Sequence, residues 1–236
     1  MVPPGALGRL GAGALLLAGL LPYYIWRRSL PGLSLWWAVA FASFVLIPAV
    51  FALVWCVLPL RRAAWLLPAG LAGLLLAFGL EKAGVHIPAN FVKLGAMTAL
   101  AFWFLGYFET VAWVALVALI VPWVDAYSVW RGPTHHIVLH HEHVFDLLSF
   151  AFVMPGHTGA LRLGVPDILF FGLFLAAAAR FRLRIAWTWL ALCASFGATI
   201  AITVGTGLAG LPALPGLSLG FFLPNVDLIW RAIRRT

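Results

Sequence analysis

Leu163-Gly-Val-Pro-Asp167-Ile-Leu-Phe-Phe-Gly-Leu-Phe-Leu-Ala-Ala-Ala-Ala-Arg180-Phe-Arg182 is an apolar run with one carboxylate near its start and basic residues only at its end. A helical run of about 20 such residues matches the hydrocarbon thickness of a bilayer. Within lipid a chain must satisfy its own backbone, which a helix does. An acid inside such a segment is costly and is a functional candidate by default. The same apolar pattern recurs along the whole chain. Hydrophobic residues make up 64% of the 236 positions and charged ones 9%, a ratio from which no water-facing surface can be built.

Eight spans are expected, at roughly 10–26, 33–60, 63–80, 89–107, 110–130, 161–179, 185–207 and 211–230. This predicts an all-α polytopic membrane protein with about eight or nine transmembrane helices, in a single membrane-embedded domain over 1–236. Pro48 is expected to kink or tilt the long second run. Tyr23, Tyr24 and Trp26 follow the first run where a signal peptide needs small residues, so that run reads as a retained span.

The net charge of +8 comes from basic residues grouped between apolar runs: Arg27/Arg28, Arg61/Arg62, Arg180/Arg182/Arg184 and Arg231/Arg234/Arg235. That is the pattern of loops at a membrane face and not of a nucleic-acid surface. Positive-inside reasoning puts Arg61/Arg62, Arg180–Arg184 and Arg231–Arg235 in the cytoplasm and the 131–160 connection outside, with Arg27/Arg28 on the wrong side. Cys56 and Cys193 lie inside apolar runs, which argues against a disulfide or zinc framework.

With seven acids in the chain, each can be weighed. Glu81 beside Lys82 reads as solvated, Glu109 as interfacial, and Asp227 as paired with Arg231 at helical spacing. Glu142 and Asp146 belong to the connection between the fifth and sixth spans. Asp125 and Asp167 remain, on consecutive antiparallel spans that flank that connection. Counted from Arg131 and Arg162 at about 1.5 Å per residue, both carboxylates fall roughly 8–9 Å below one membrane face. Two carboxylates a few Å apart hold one proton and titrate as a unit. The ionised member can activate water while the protonated member polarises a carbonyl. The alternative reading is that either Asp pairs with a buried donor, or serves as an ion or proton site in a transporter.

The 163–182 stretch resembles the second catalytic helix of presenilins and signal peptide peptidases, marked by Gly-x-Gly-Asp. The Asp125 segment is similar to the first catalytic helix, with Val124 where the family has Tyr. Pro212-Ala213-Leu214 resembles the Pro-Ala-Leu triplet of the family's last helix. The resemblance covers about 121–220. It implies a presenilin-like bundle, with N-terminal spans over about 1–108 and the catalytic spans and Pro-Ala-Leu helix over about 109–236. It further implies an intramembrane aspartyl protease with Asp125 and Asp167 as the catalytic pair. Gly164, Val165 and Pro166 beside the second Asp, with Pro212, Ala213 and Leu214 shaping the cleft, would bind the substrate. Pro166 departs from the family, which has Gly there. Pro fixes φ and lacks a donor, yet suits the first turn of a helix.

The partners so implied are transmembrane-helix substrates (signal peptides or membrane-protein remnants) and the lipid bilayer, with no nucleic acid, no cofactor and no metal. The implied location is the plasma membrane of a prokaryote. The poorly helical stretch Leu211–Gly216 would leave backbone groups free to pair with an extended substrate.

Rival readings are a catalytically silent member acting as transporter or chaperone, a prepilin-type peptidase, and a His-box oxygenase. Prepilin peptidases generally carry Lys two residues after the Asp, where this chain has Leu169. His135, His136, His140, His141, His143 and His157 crowd one connection, whereas His-box enzymes need ligands from several segments. The apolar part of that connection, Val144–Met154, is expected to lie on or dip into the membrane.

Overall fold

The computed structural model describes residues 5–130, 148–156, 159–208 and 211–234. The histidines of the long connection, His135, His136, His140, His141, His143 and His157, lie outside them. The described chain is mostly helical, with α1 Ala6–Trp26, α2 Leu35–Leu60, α3 Leu66–Lys82, α4 His86–Leu105 and α5 Val111–Trp130. Two strands follow, β1 Ser149–Val153 and β2 Ala160–Gly164, then α6 Val165–Arg180, α7 Ile185–Thr206, α8 Leu214–Phe222 and α9 Val226–Ile233. Helices α1, α2, α4, α5 and α7 are long and apolar enough to cross a membrane, which marks a membrane protein. The other three expected spans are shorter: α3 has 17 residues, α6 has 16, and 211–230 divides into α8 and α9 at the turn before Asn225.

Pro48 leaves its mark as a π-helical turn over Ala42–Leu46, just before it in α2. A proline ring clashes with the carbonyl four residues back and offers no donor, and one wider turn relieves both.

The all-α expectation fails at one place. Residues 149–153 and 160–164 form an antiparallel hairpin, with Ser149 opposite Gly164 and Val153 opposite Ala160. Over its described part Val144–Met154 is thus mainly strand, packed into the core, and the helix expected from about 161 begins at Val165. The physical reason is alternation with period two. Phe150 and Phe152 point into the core and are buried, while Ser149, Ala151 and Arg162 share the opposite face. Gly156 closes the turn with φ +68°, and its N–H donates to the Arg27 carbonyl (2.8 Å). A Cβ there would collide with the Gly32 backbone.

The core is an aromatic stack. Phe51 of α2 lies 4.0 Å from Phe171 of α6 and 5.1 Å from Phe196 of α7, centroid to centroid, and Phe152 of β1 joins from the side at 6.3 Å. Helix α6 runs through the middle: Leu173, Phe174, Leu175, Ala176, Ala177 and Ala178 are all fully buried. Its neighbour α4 approaches closely because the facing residues are small; a Cβ on Gly172 would sit 3.0 Å from Cβ of Ala101.

The bundle has two distinct ends. At one lie the hairpin, Arg27/Arg28 and the α3–α4 turn. At the other, Arg180 Nη1 donates to the Leu105 carbonyl (2.6 Å), and Arg9 stands close enough to Arg61 for their charges to interact. There Arg184 grips Asp227 through two bonds of 2.6 and 2.8 Å, while Arg231, the partner expected for Asp227, is more distant at 3.9 Å. Asn225 is buried beside this pair, donating to Thr188 Oγ1 (2.7 Å) and accepting from the Arg184 N–H (3.0 Å). Arg27 and Arg28 stand at the end opposite Arg61, Arg180 and Arg184, so their conflict with the charge rule persists.

Replacing Gly172 by Val will wedge α6 away from α4. The expected cost is about 1–3 kcal/mol, the usual range for overpacking a filled core. It is read as a lowered unfolding midpoint of the purified protein in detergent; an unchanged midpoint would show that this seam is slack.

Candidate active site

Three segments far apart in sequence meet at the hairpin end. Asp125 lies five residues before the last residue of α5 and is partly buried. Its Oδ2 accepts the Leu214 N–H at 3.0 Å, and the Ala213 N–H also points at the carboxylate. These donors are available because 211–213 is not helical and α8 begins at Leu214, so its first N–H groups have no partner within the helix. The expectation that Leu211–Gly216 leaves backbone groups free for an extended partner is not met at these positions: 214–216 are helical, and the N–H groups of buried Ala213 and Leu214 are directed at Asp125.

Asp167 is the third residue of α6 and is 9% exposed. Its Oδ2 turns back to accept the Gly164 N–H at 3.1 Å, a helix-capping contact. The Asp125 charge is near enough to act on Asp167, and α5 and α6 touch. Asp167 follows an extended segment, so the helical rise from Arg162 used to equate the two depths does not apply. It reaches the α5–α6 contact from the junction of strand and helix.

Gly164 has φ −59° and ψ 143°, a backbone any residue adopts. Its need for glycine is spatial: a Cβ there would lie 3.1 Å from Asp167 Oδ2. Val165 is buried and donates its N–H to the Leu148 carbonyl (3.0 Å), extending the hairpin ladder by one rung. Pro166 is exposed at the second position of α6, where the missing N–H costs no helical hydrogen bond. Pro212 is half-buried, and Ala213 and Leu214 are buried.

The residues that seat the hairpin escaped the sequence reading. Asn90 of α4 holds Ala151 by both backbone groups, donating to its carbonyl (2.9 Å) and accepting from its N–H (2.8 Å). Tyr24 donates to the same carbonyl (3.1 Å) and Tyr23 to that of Val153 (2.7 Å). Lys93, 3% exposed, donates to the Ser149 carbonyl (2.7 Å) and to Glu81 Oε1 (2.8 Å). Glu81 is accordingly not a solvated loop acid. It closes α3 against α4, held by Lys93 and His86. The available signal was Lys93 itself, a cation within an apolar run, which needs a buried partner.

Comparison with protein-family models, with curated proteins and with solved structures returned no match.

Asp125→Ala removes the acceptor of the Leu214 N–H and strands that donor. Stability should fall by about 1–3 kcal/mol. Asp125→Asn keeps an amide oxygen for the same bond and should retain most of it. Denaturation of the two variants in one detergent separates these outcomes; equal loss in both would show that the bond carries no stability.

Proposed function

We propose that this chain is an intramembrane aspartyl protease of presenilin-like type, with Asp125 and Asp167 as the catalytic pair. The observation that carries the reading is the hydrogen bond between the Leu214 N–H and Asp125 beside Asp167. It ties the first aspartate helix to Pro212-Ala213-Leu214, the triplet that resembles the family's last helix.

In this reading α3, α6 and the α8–α9 pair also cross, giving eight crossings with both termini on one side. The bundle sits in the plasma membrane of a prokaryote. Its substrates are transmembrane helices, unwound locally because a helical backbone hides its carbonyls in hydrogen bonds. One carboxylate takes a proton from water as the water oxygen bonds to the scissile carbonyl carbon. The other carboxyl donates its proton to the carbonyl oxygen, giving a gem-diol. The intermediate then collapses: the C–N bond breaks and the amine leaves with a proton from the first carboxyl. One hydroxyl returns its proton to the second carboxylate, so a carboxylic acid remains and the pair again holds one proton. Gly164 permits the close turn of Asp167, and Leu214 orients Asp125. Pro166 presents Asp167 in a pre-set first turn, a role compatible with its difference from the family's Gly.

The test is cleavage of a model transmembrane peptide by purified protein in detergent, with products identified by mass spectrometry. Wild type should release fragments cut inside the apolar stretch, with a rate that falls on both sides of an optimal pH. Asp125→Asn and Asp167→Asn should each abolish them, and Pro166→Gly should not. Fragments that persist in either Asp variant would end the dyad assignment. No wild-type products over several peptides and pH values would favour a silent member of the fold.

A further inference from the structure

Two cavities follow one another along the seam between α1 and α4. The larger, about 900 Å³, opens at the hairpin end, bounded by Tyr24 and Ile25 of α1 and by Asn90 and Lys93 of α4. Its wall carries Arg27, Arg28, Lys82, Lys93 and Arg162, and Glu81 is the single acid among the described lining residues. Glu81 already pairs with Lys93 and His86, and among the described lining residues the basic side chains outnumber it. Exposed Ile25, Phe78 and Val85 stand beside these charges.

The smaller cavity, about 320 Å³, is apolar and lies further along the same two helices, among Leu10, Ala14 and Leu17 of α1 and Leu94, Gly95 and Phe102 of α4. Phe91 joins the two: it lines the smaller cavity, and its ring packs 4.9 Å from Tyr24, which lines the larger.

We propose that this seam binds an anionic phospholipid, its phosphate in the cationic cleft and an acyl chain in the apolar cavity. A cluster of arginine and lysine at a membrane surface attracts anionic headgroups. A soluble phosphate would use the cleft but has no use for the apolar slot, and a peptide would leave backbone groups unpaired there. Arg27 and Arg28, misplaced by the charge rule, then have a ligand at the end where they stand. The site is separate from the aspartates and does not depend on their being catalytic.

The experiment uses full-length protein from nanodiscs of phosphatidylcholine with increasing phosphatidylglycerol, with retained lipids counted by native mass spectrometry. A parallel arm measures binding of glycerol phosphate alone. Wild type should retain phosphatidylglycerol in preference to phosphatidylcholine. Arg28→Gln with Lys82→Gln, both exposed positions whose loss leaves the core intact, should weaken that retention by about tenfold or more, the effect of two surface charges. Gly95→Leu fills the apolar cavity, since a Cβ there meets no atom within 4 Å. It should reduce phosphatidylglycerol retention and leave glycerol phosphate binding unchanged. Equal retention of the two lipids, or undiminished phosphatidylglycerol in the double variant, overturns the proposal. Glycerol phosphate binding as tightly as the lipid, with no effect of Gly95→Leu, assigns the cleft to soluble phosphate and overturns it equally.

Discussion

A β-strand inside a helical membrane protein has one edge too many. Strand β1 pairs with β2 on one side, and its other edge borders the cationic cleft, where Ser149, Ala151 and Val153 line the wall. Asn90, Lys93, Tyr23 and Tyr24 supply what a third strand would have supplied, capping the carbonyls of Ser149, Ala151 and Val153 and the N–H of Ala151. Each such bond contributes about 0.5–1.5 kcal/mol, and together they seat the strand against α1 and α4. Much else depends on that seating. The hairpin ends at Gly164, α6 starts at Val165, and Asp167 stands in its first turn because the strand delivers it there.

This explains which parts of the molecule were legible in the sequence. Asp125 and Asp167 stood out because a carboxylate in an apolar run has few innocent explanations, and the sequence motif around 212–214 proved to lie against one of them. The hairpin was also written in the chain, as Ser-Phe-Ala-Phe-Val and Ala-Leu-Arg-Leu-Gly on either side of Pro155-Gly156. Its period of two was masked by an overall hydrophobicity so high that any segment reads as a span. The partners of the free strand edge were harder to find. Asn90 and Lys93 lie about 60 positions from the strand they hold, and Glu81 looked solvated until the α3–α4 turn folded it against Lys93. Such pairings come from tertiary proximity, on which composition and periodicity are silent.

Small residues do the complementary work. Gly172 against Ala101 lets α4 and α6 touch backbone to backbone, and Gly164 leaves room for the Asp167 carboxylate to fold back on its own helix end. In neither case is an unusual dihedral involved. Both are positions where a single methyl group would displace a neighbour, and the proposed pair of carboxylates depends on both remaining bare.

The shortness of α6 has a consequence for the path of the chain. Its 16 residues extend about 24 Å, against about 33 Å for the 22 residues of its neighbour α7. Because α6 is buried at the centre of the bundle, protein must fill the difference, and the hairpin joined directly to its start is placed to do so. A strand advances about 3.3 Å per residue where a helix advances about 1.5 Å, so β2 covers the same distance with about half the residues.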